Sequence, residues 1–298
     1  MPAQPCVAVQ SLACPIYCHT YYTLPQSRTR LSGLMEYLGD FEFWQYAVFT
    51  GVFFTSCFLQ GVIGFGAGAF GIPILYFCGF EIDTAIAAIT IASMTQSGIG
   101  AWKLSEVISW PATVRPGLIR ILFILPGVLA LNYLNNYYES PEESRQLIQQ
   151  SIGLVLILIV VTKGFIKLEA QEEELPVIWE YIAFSISGVM LGFIGMGGPA
   201  VALWVMCQPW NAKQSRGFLF AMLFYGMIPL ALILVWQFGA TSTVGLILGF
   251  LGLPVVFLGT EIGIRVGNKL DRNKLQRYAL TALFLIGLSA IVKPYVMG

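Results

Sequence analysis

Long apolar stretches separated by short polar breaks run from residue 44 to residue 296. A helix needs about 20 apolar residues to cross about 30 Å of hydrocarbon. Eight stretches are of that order: 44–64, 84–102, 117–136, 148–166, 178–194, 215–237, 242–262 and 277–296. Two shorter apolar pieces, 66–80 and 197–208, each follow directly on a glycine cluster. The pattern predicts an all-α, polytopic integral membrane protein. Residues 1–43 break it, because Pro2, Pro5, Pro15 and Pro25 punctuate them and no segment is long enough to cross. They are expected to be a disordered extension, or one outside the native protein, since Met35 offers a start just ahead of the first strong span.

The chain also repeats itself. A shift of 131 residues lays Gly61, Gly64 and Gly66 over Gly192, Gly195 and Gly197, and Ser56 over Ser187. A shift of 132 lays Gly127 over Gly259 and Arg145 over Arg277. Residues 44–168 therefore form a first transmembrane repeat and 178–298 a second, joined by an acidic linker at 169–177 that contains Glu169, Glu172, Glu173 and Glu174. Each half reads as a long span, a glycine break, a short apolar piece and three more spans.

Charge decides how the halves relate. With about five transmembrane or re-entrant helices per half, twelve of the sixteen basic residues, Arg115, Arg120 and Lys213 among them, fall on one side. Only Arg28, Arg30, Arg145 and Lys293 fall on the other. With four crossings per half, the basic residues scatter over both faces. Because cytoplasmic loops collect Lys and Arg, the odd count is preferred. It predicts two inverted repeats related by an axis in the membrane plane, both termini outside and the linker in the cytoplasm. The expected location is the plasma (inner) membrane.

Composition narrows the chemistry. The chain is 57% hydrophobic and 11% charged, with zero net charge and one histidine, His19. That excludes a nucleic-acid footprint and leaves no histidine-based metal or acid/base constellation. No cofactor is implied. The six cysteines have neither zinc-site nor disulfide-framework spacing. Gly66-Ala-Gly68-Ala-Phe-Gly71 matches GxGxxG formally, but without a strand–turn–helix context it does not read as a dinucleotide site.

The glycine clusters carry the functional argument. Each glycine costs a helix roughly 1 kcal/mol relative to alanine, so several in a row should break it. Such a break is tolerated in a membrane only when buried in protein or lining a wet cavity. Close helix packing is the competing use of these glycines, and Gly188-xxx-Gly192 is a packing pattern. Two breaks at equivalent places in inverted halves would bring two short-helix N-termini to a common midplane site, where unpaired N–H groups suit an anion. The candidate binding residues are Ser56, Gln60, Gly61, Gly64, Gly66, Gly68, Gln96, Ser187, Gly192, Gly195, Gly197, Gly198 and Tyr225; Thr90 and Ser93 are further hydroxyls within the spans. Glu81, Asp83 and Glu180 read as solvated residues near span ends, leaving no charge at mid-membrane. Glu261, one turn before Arg265, reads as a structural salt bridge with a possible coupling role.

The paired segments GVIGFGAGAFGIPIL (61–75) and GVMLGFIGMGGPAV (188–201), with LGTEIGIRVGNKLDRNKLQRY (258–278), resemble the TauE/SafE sulfite exporter family of membrane permeases. The resemblance spans roughly residues 44–296. It implies export of sulfite or sulfur-containing organic anions such as sulfoacetate. The first half departs from the second at Ala67, where the second has Gly198, and at 132–138, which lacks the Gly and Arg of 263–269. The residues alone also admit a membrane-embedded assembly factor that transports nothing, or an anion channel.

Overall fold

A computed structural model describes residues 43–63, 67–137, 141–165, 175–267 and 272–297. The 1–42 extension, Gly64, Gly66 and residues 169–174 of the linker lie outside the described residues.

Each apolar stretch is helical over most of its described residues. In chain order the helices are α1 (Phe43–Ile63), α2 (Ala67–Phe77), α3 (Ile82–Lys103), α4 (Trp110–Tyr137), α5 (Pro141–Phe165), α6 (Val177–Ile194), α7 (Gly198–Met206), α8 (Ala212–Phe238), α9 (Ala240–Leu251), α10 (Leu253–Gly267) and α11 (Arg272–Met297). Among the described residues, four helices are long and apolar enough to cross a membrane by themselves: α4, α5, α6 and α8. The α9–α10 pair makes a fifth if counted as one bent span. Several apolar helices of this length make the chain a multi-pass membrane protein.

The 242–262 stretch is not one straight helix, as its apolar pattern suggested. It bends by 56° between α9 and α10. Pro254, second in α10, lacks the N–H that would bond back one turn, and its ring crowds the preceding carbonyls. Gly252 at the bend lies against the Phe53 ring, where a Cβ would come within 2.6 Å of Cε1.

Packing partners recur when the halves are exchanged. Helix α4 lies against α6, and α10 against α1; α4 also meets α8, and α9 meets α3. The remaining large contacts, α3 with α8 and α5 with α11, join helices at equivalent places in the two halves. Directions follow from which residues touch. Gly98 faces Phe224 while Gly100 faces Phe220, so α3 and α8 run antiparallel. Gly153 meets Ala290, and Gly287 meets Leu156 and Ile157, so α5 and α11 also run antiparallel. Helix α3 is buried on most sides, because its Ala, Ile, Ser and Thr side chains are short enough to accept neighbours all round. That buried central pair carries the site.

Two acids differ from their solvated expectation. Asp83 is buried in the first turn of α3, where its carboxylate accepts hydrogen bonds from Thr241 and, at 3.0 Å, from Ser242 at the start of α9. Glu180 is buried in the first turn of α6 and accepts two hydrogen bonds from Arg115 of α4, at 2.8 and 2.7 Å. In both, a helix start in one half presents the hydrogen-bond donors that let a carboxylate leave water, so the positions pin pairs of helices rather than face solvent.

Candidate binding site between two helix starts

Helix α6 stops where Gly195 takes the left-handed conformation, with φ of 71°. Its N–H bonds to the Leu191 carbonyl and that of Met196 to Met190, closing the helix end. Three residues after Gly195, α7 begins at Gly198, with Pro199 in its first turn, where a missing N–H costs nothing. Ser187, two turns back in α6, donates to the Gly197 carbonyl at 2.6 Å and braces this break. In the first half, Gln60 near the end of α1 reaches forward instead. Its Oε1 accepts from the Ala67 N–H, the first of α2, at 2.9 Å.

The two helix starts meet. A Cβ on Gly68 would lie 2.9 Å from the Gly195 carbonyl oxygen. Between them is a cavity of about 40 Å³ lined from the first half by Gln60, Ala67, Gly68, Ala69 and Ser93. From the second half come Gly195, Met196, Gly197, Gly198 and Pro199, with Leu191, Leu223 and Met227. One water needs roughly 10–15 Å³ on this measure, so the space suits a group of a few heavy atoms. Helices α2 and α7 both point their N-termini at it. Each contributes N–H groups without an intrahelical acceptor and the positive end of a helix dipole.

Of the residues singled out from sequence, Gln60, Gly68, Gly195, Gly197 and Gly198 line this cavity, and Ser187 lies directly behind it. Ser93 joins them. The others among the described residues sit elsewhere. Gly61 is at the α1–α10 crossing, where a Cβ would lie 2.7 Å from the Thr260 carbonyl oxygen, and Gly192 is at the α4–α6 crossing beside Gly127. Ser56 bonds within its own helix to the Val52 carbonyl at 2.7 Å. Gln96 donates to Thr260, tying α3 to α10, and Tyr225 lies between Trp110 and Thr113 of α4. Glu261 pairs with Arg265 at 2.9 Å on an exposed face.

The charge pattern places Arg120 at the cytoplasmic margin and leaves the spans free of charge, but Arg120 is fully buried, ten residues into α4. At 1.5 Å per residue that is about 15 Å along the helix from its start. Its Nη1 donates to the Met222 carbonyl, while Nε and Nη2 have no partner. A Cβ on Gly197 would lie 2.9 Å from Nη2. The signal was present in the sequence, since apolar residues continue on both sides of Arg120 from Leu118 to Leu125. Arg115 and Pro116 just before it made the segment resemble a basic loop.

The family model described as sulfite exporter TauE/SafE matches residues 48–290. No curated protein and no solved structure matches the chain.

Proposed function

Because the chain belongs to the sulfite exporter TauE/SafE family, we propose that it exports sulfite or small organosulfonates such as sulfoacetate from the cell, binding them where α2 and α7 begin. Membership makes it a membrane transporter of sulfur anions. The choice of substrate and site rests on one observation above the rest, the shared cavity between two helix N-termini. N–H groups and helix dipoles favour an anion there, while neutral donors release it readily.

The halves act as inverted repeats in this reading. The antiparallel runs of α3 against α8 and of α5 against α11 support it, because equivalent helices in inverted halves must point opposite ways. Helix α1 then descends to the cavity from one side of the membrane and α6 from the other, which sets the site near the midplane. Alternating access follows if one half rocks against the other about the cavity. Outward movement of one negative charge down an inside-negative potential of 100 mV releases about 2.3 kcal/mol, roughly a 50-fold gradient, without coupling to another ion.

The test is flux from proteoliposomes loaded with sulfite, thiosulfate, sulfate, sulfoacetate or taurine. Efflux of sulfite or sulfoacetate is expected from the wild-type protein and not from Gly198→Leu. That substitution fills the cavity from a position where a Cβ meets nothing closer than Leu223 Cδ2 at 3.5 Å. Folded wild-type protein that moves none of the five, or unchanged efflux in Gly198→Leu, overturns the reading.

A further inference from the structure

Arg120 is the largest of the fully buried side chains. The ion pairs Arg115–Glu180 and Arg265–Glu261 engage other residues, and among the described residues no carboxylate answers its charge. Intramembrane charges are costly, and they are commonly paired or placed on ion pathways. A lone buried guanidinium held by a single carbonyl leaves Nε and Nη2 without any acceptor and its charge without a counter-charge.

The two idle donors are chemically specific. Nε and Nη2 share one edge of the planar guanidinium, the edge that holds two oxygens of an oxyanion side by side. Two glycines keep that edge clear. A Cβ on Gly226 would approach Nε to 3.5 Å and Cζ to 3.2 Å, and one on Gly197 would approach Nη2 to 2.9 Å. Gly197 also lines the cavity. Leu191, which also lines the cavity, packs against the same two glycines, so the unpartnered edge lies directly behind a wall made of Gly197 and Leu191.

We propose that Arg120 is the fixed positive charge of the transport site, and that its Nε–Nη2 edge takes two oxygens of the sulfite or sulfonate group. The anion then supplies the counter-charge that the protein lacks. The helix N-termini hold the remaining oxygen, and Gly197 and Gly226 are the residues whose missing side chains leave that edge clear. This rests on the reading of the chain as an anion transporter and adds the residue that recognises the anion.

The experiment compares the full chain with Arg120→Gln and Arg120→Lys, each in lipid nanodiscs for sulfite-dependent thermal stabilisation and in liposomes for sulfite flux. Loss of charge-assisted hydrogen bonds predicts roughly tenfold to hundredfold weaker sulfite binding in Arg120→Gln, with flux falling in parallel. Arg120→Lys keeps the charge but loses the two-donor edge, so its affinity falls between the two. A purely structural Arg120 predicts the reverse, a lower melting temperature without ligand and unchanged sulfite affinity; that result overturns the proposal. If Arg120→Gln does not fold, Arg120→Lys decides, since wild-type affinity in that variant overturns the proposal and weakened affinity supports it. Wild-type protein that neither binds nor moves any oxyanion removes the transporter reading and this proposal together. Wild-type transport with unaffected Arg120 variants removes this proposal alone.

Discussion

At Gly195 a single backbone angle ends one helix and aims the next. The φ of 71° is one that an L side chain adopts only under strain, and Ile72 and Ile86 crowd the space where a Cβ would go. Gly195→Ala should therefore cost about 1–3 kcal/mol of stability. Gly198, three residues on, has an ordinary conformation and a nearest Cβ contact at 3.5 Å. Gly198→Ala is expected to leave the stability within about 0.5 kcal/mol of wild type. Thermal unfolding of both variants in detergent checks the pair, and equal destabilisation would contradict this account of Gly195. Sequence could mark both glycines but could not rank them, since rank depends on φ and on side chains that arrive from α2 and α3. Arg120 shows the same limit from the opposite direction. Its depth was written in the apolar residues around it, yet its missing partner is a fact of three dimensions.

Helix crossings explain why Gly61 and Gly192 do not reach the cavity. Gly188 and Gly192 bring α6 onto the backbone of α4 at Arg120, Ile124 and Gly127, and Gly61, Gly259 and Gly263 do the same for α1 and α10. In lipid there is little hydrophobic gain in joining two helices, so close backbone approach and dispersion supply the association. Gly192→Ala and Gly61→Ala should each force a crossing apart, because the nearest atoms are backbone and cannot rotate away. Gly51, with nothing within 4 Å of its Cβ position, is the control. Gly51→Ala is expected to be neutral or to stabilise its helix by up to about 1 kcal/mol. Yield of monodisperse protein by size-exclusion chromatography separates the three; a Gly192→Ala protein as abundant as Gly51→Ala would contradict the crossing geometry. The helices themselves were legible because apolar length forces helix in a membrane. The α9–α10 bend was harder to see, as Pro254 in a continuous apolar stretch leaves the overall hydropathy unchanged.

The inverted arrangement proposed for the whole molecule assigns the basic residues and the two short helices to definite sides of the membrane. Moving Arg120 from the cytoplasmic margin into the bundle leaves eleven basic residues on that side against four, still a strong bias under the positive-inside rule. If the halves are inverted, the loops after α2 and α7 open to opposite sides of the membrane. Cys78 follows α2 and Cys207 follows α7, both half-buried, whereas Cys57 is fully buried in α1. In a chain whose cysteines at 6, 14 and 18 are replaced by serine, a membrane-impermeant maleimide added to intact cells should label Cys78 and spare Cys207. Inside-out vesicles should give the opposite result, and Cys57 should stay unlabelled in both. Labelling of Cys78 and Cys207 from the same side would mean that the halves run parallel. The two short helices would then enter the bundle from one face, and α1 and α6 could not approach a midplane cavity from opposite sides.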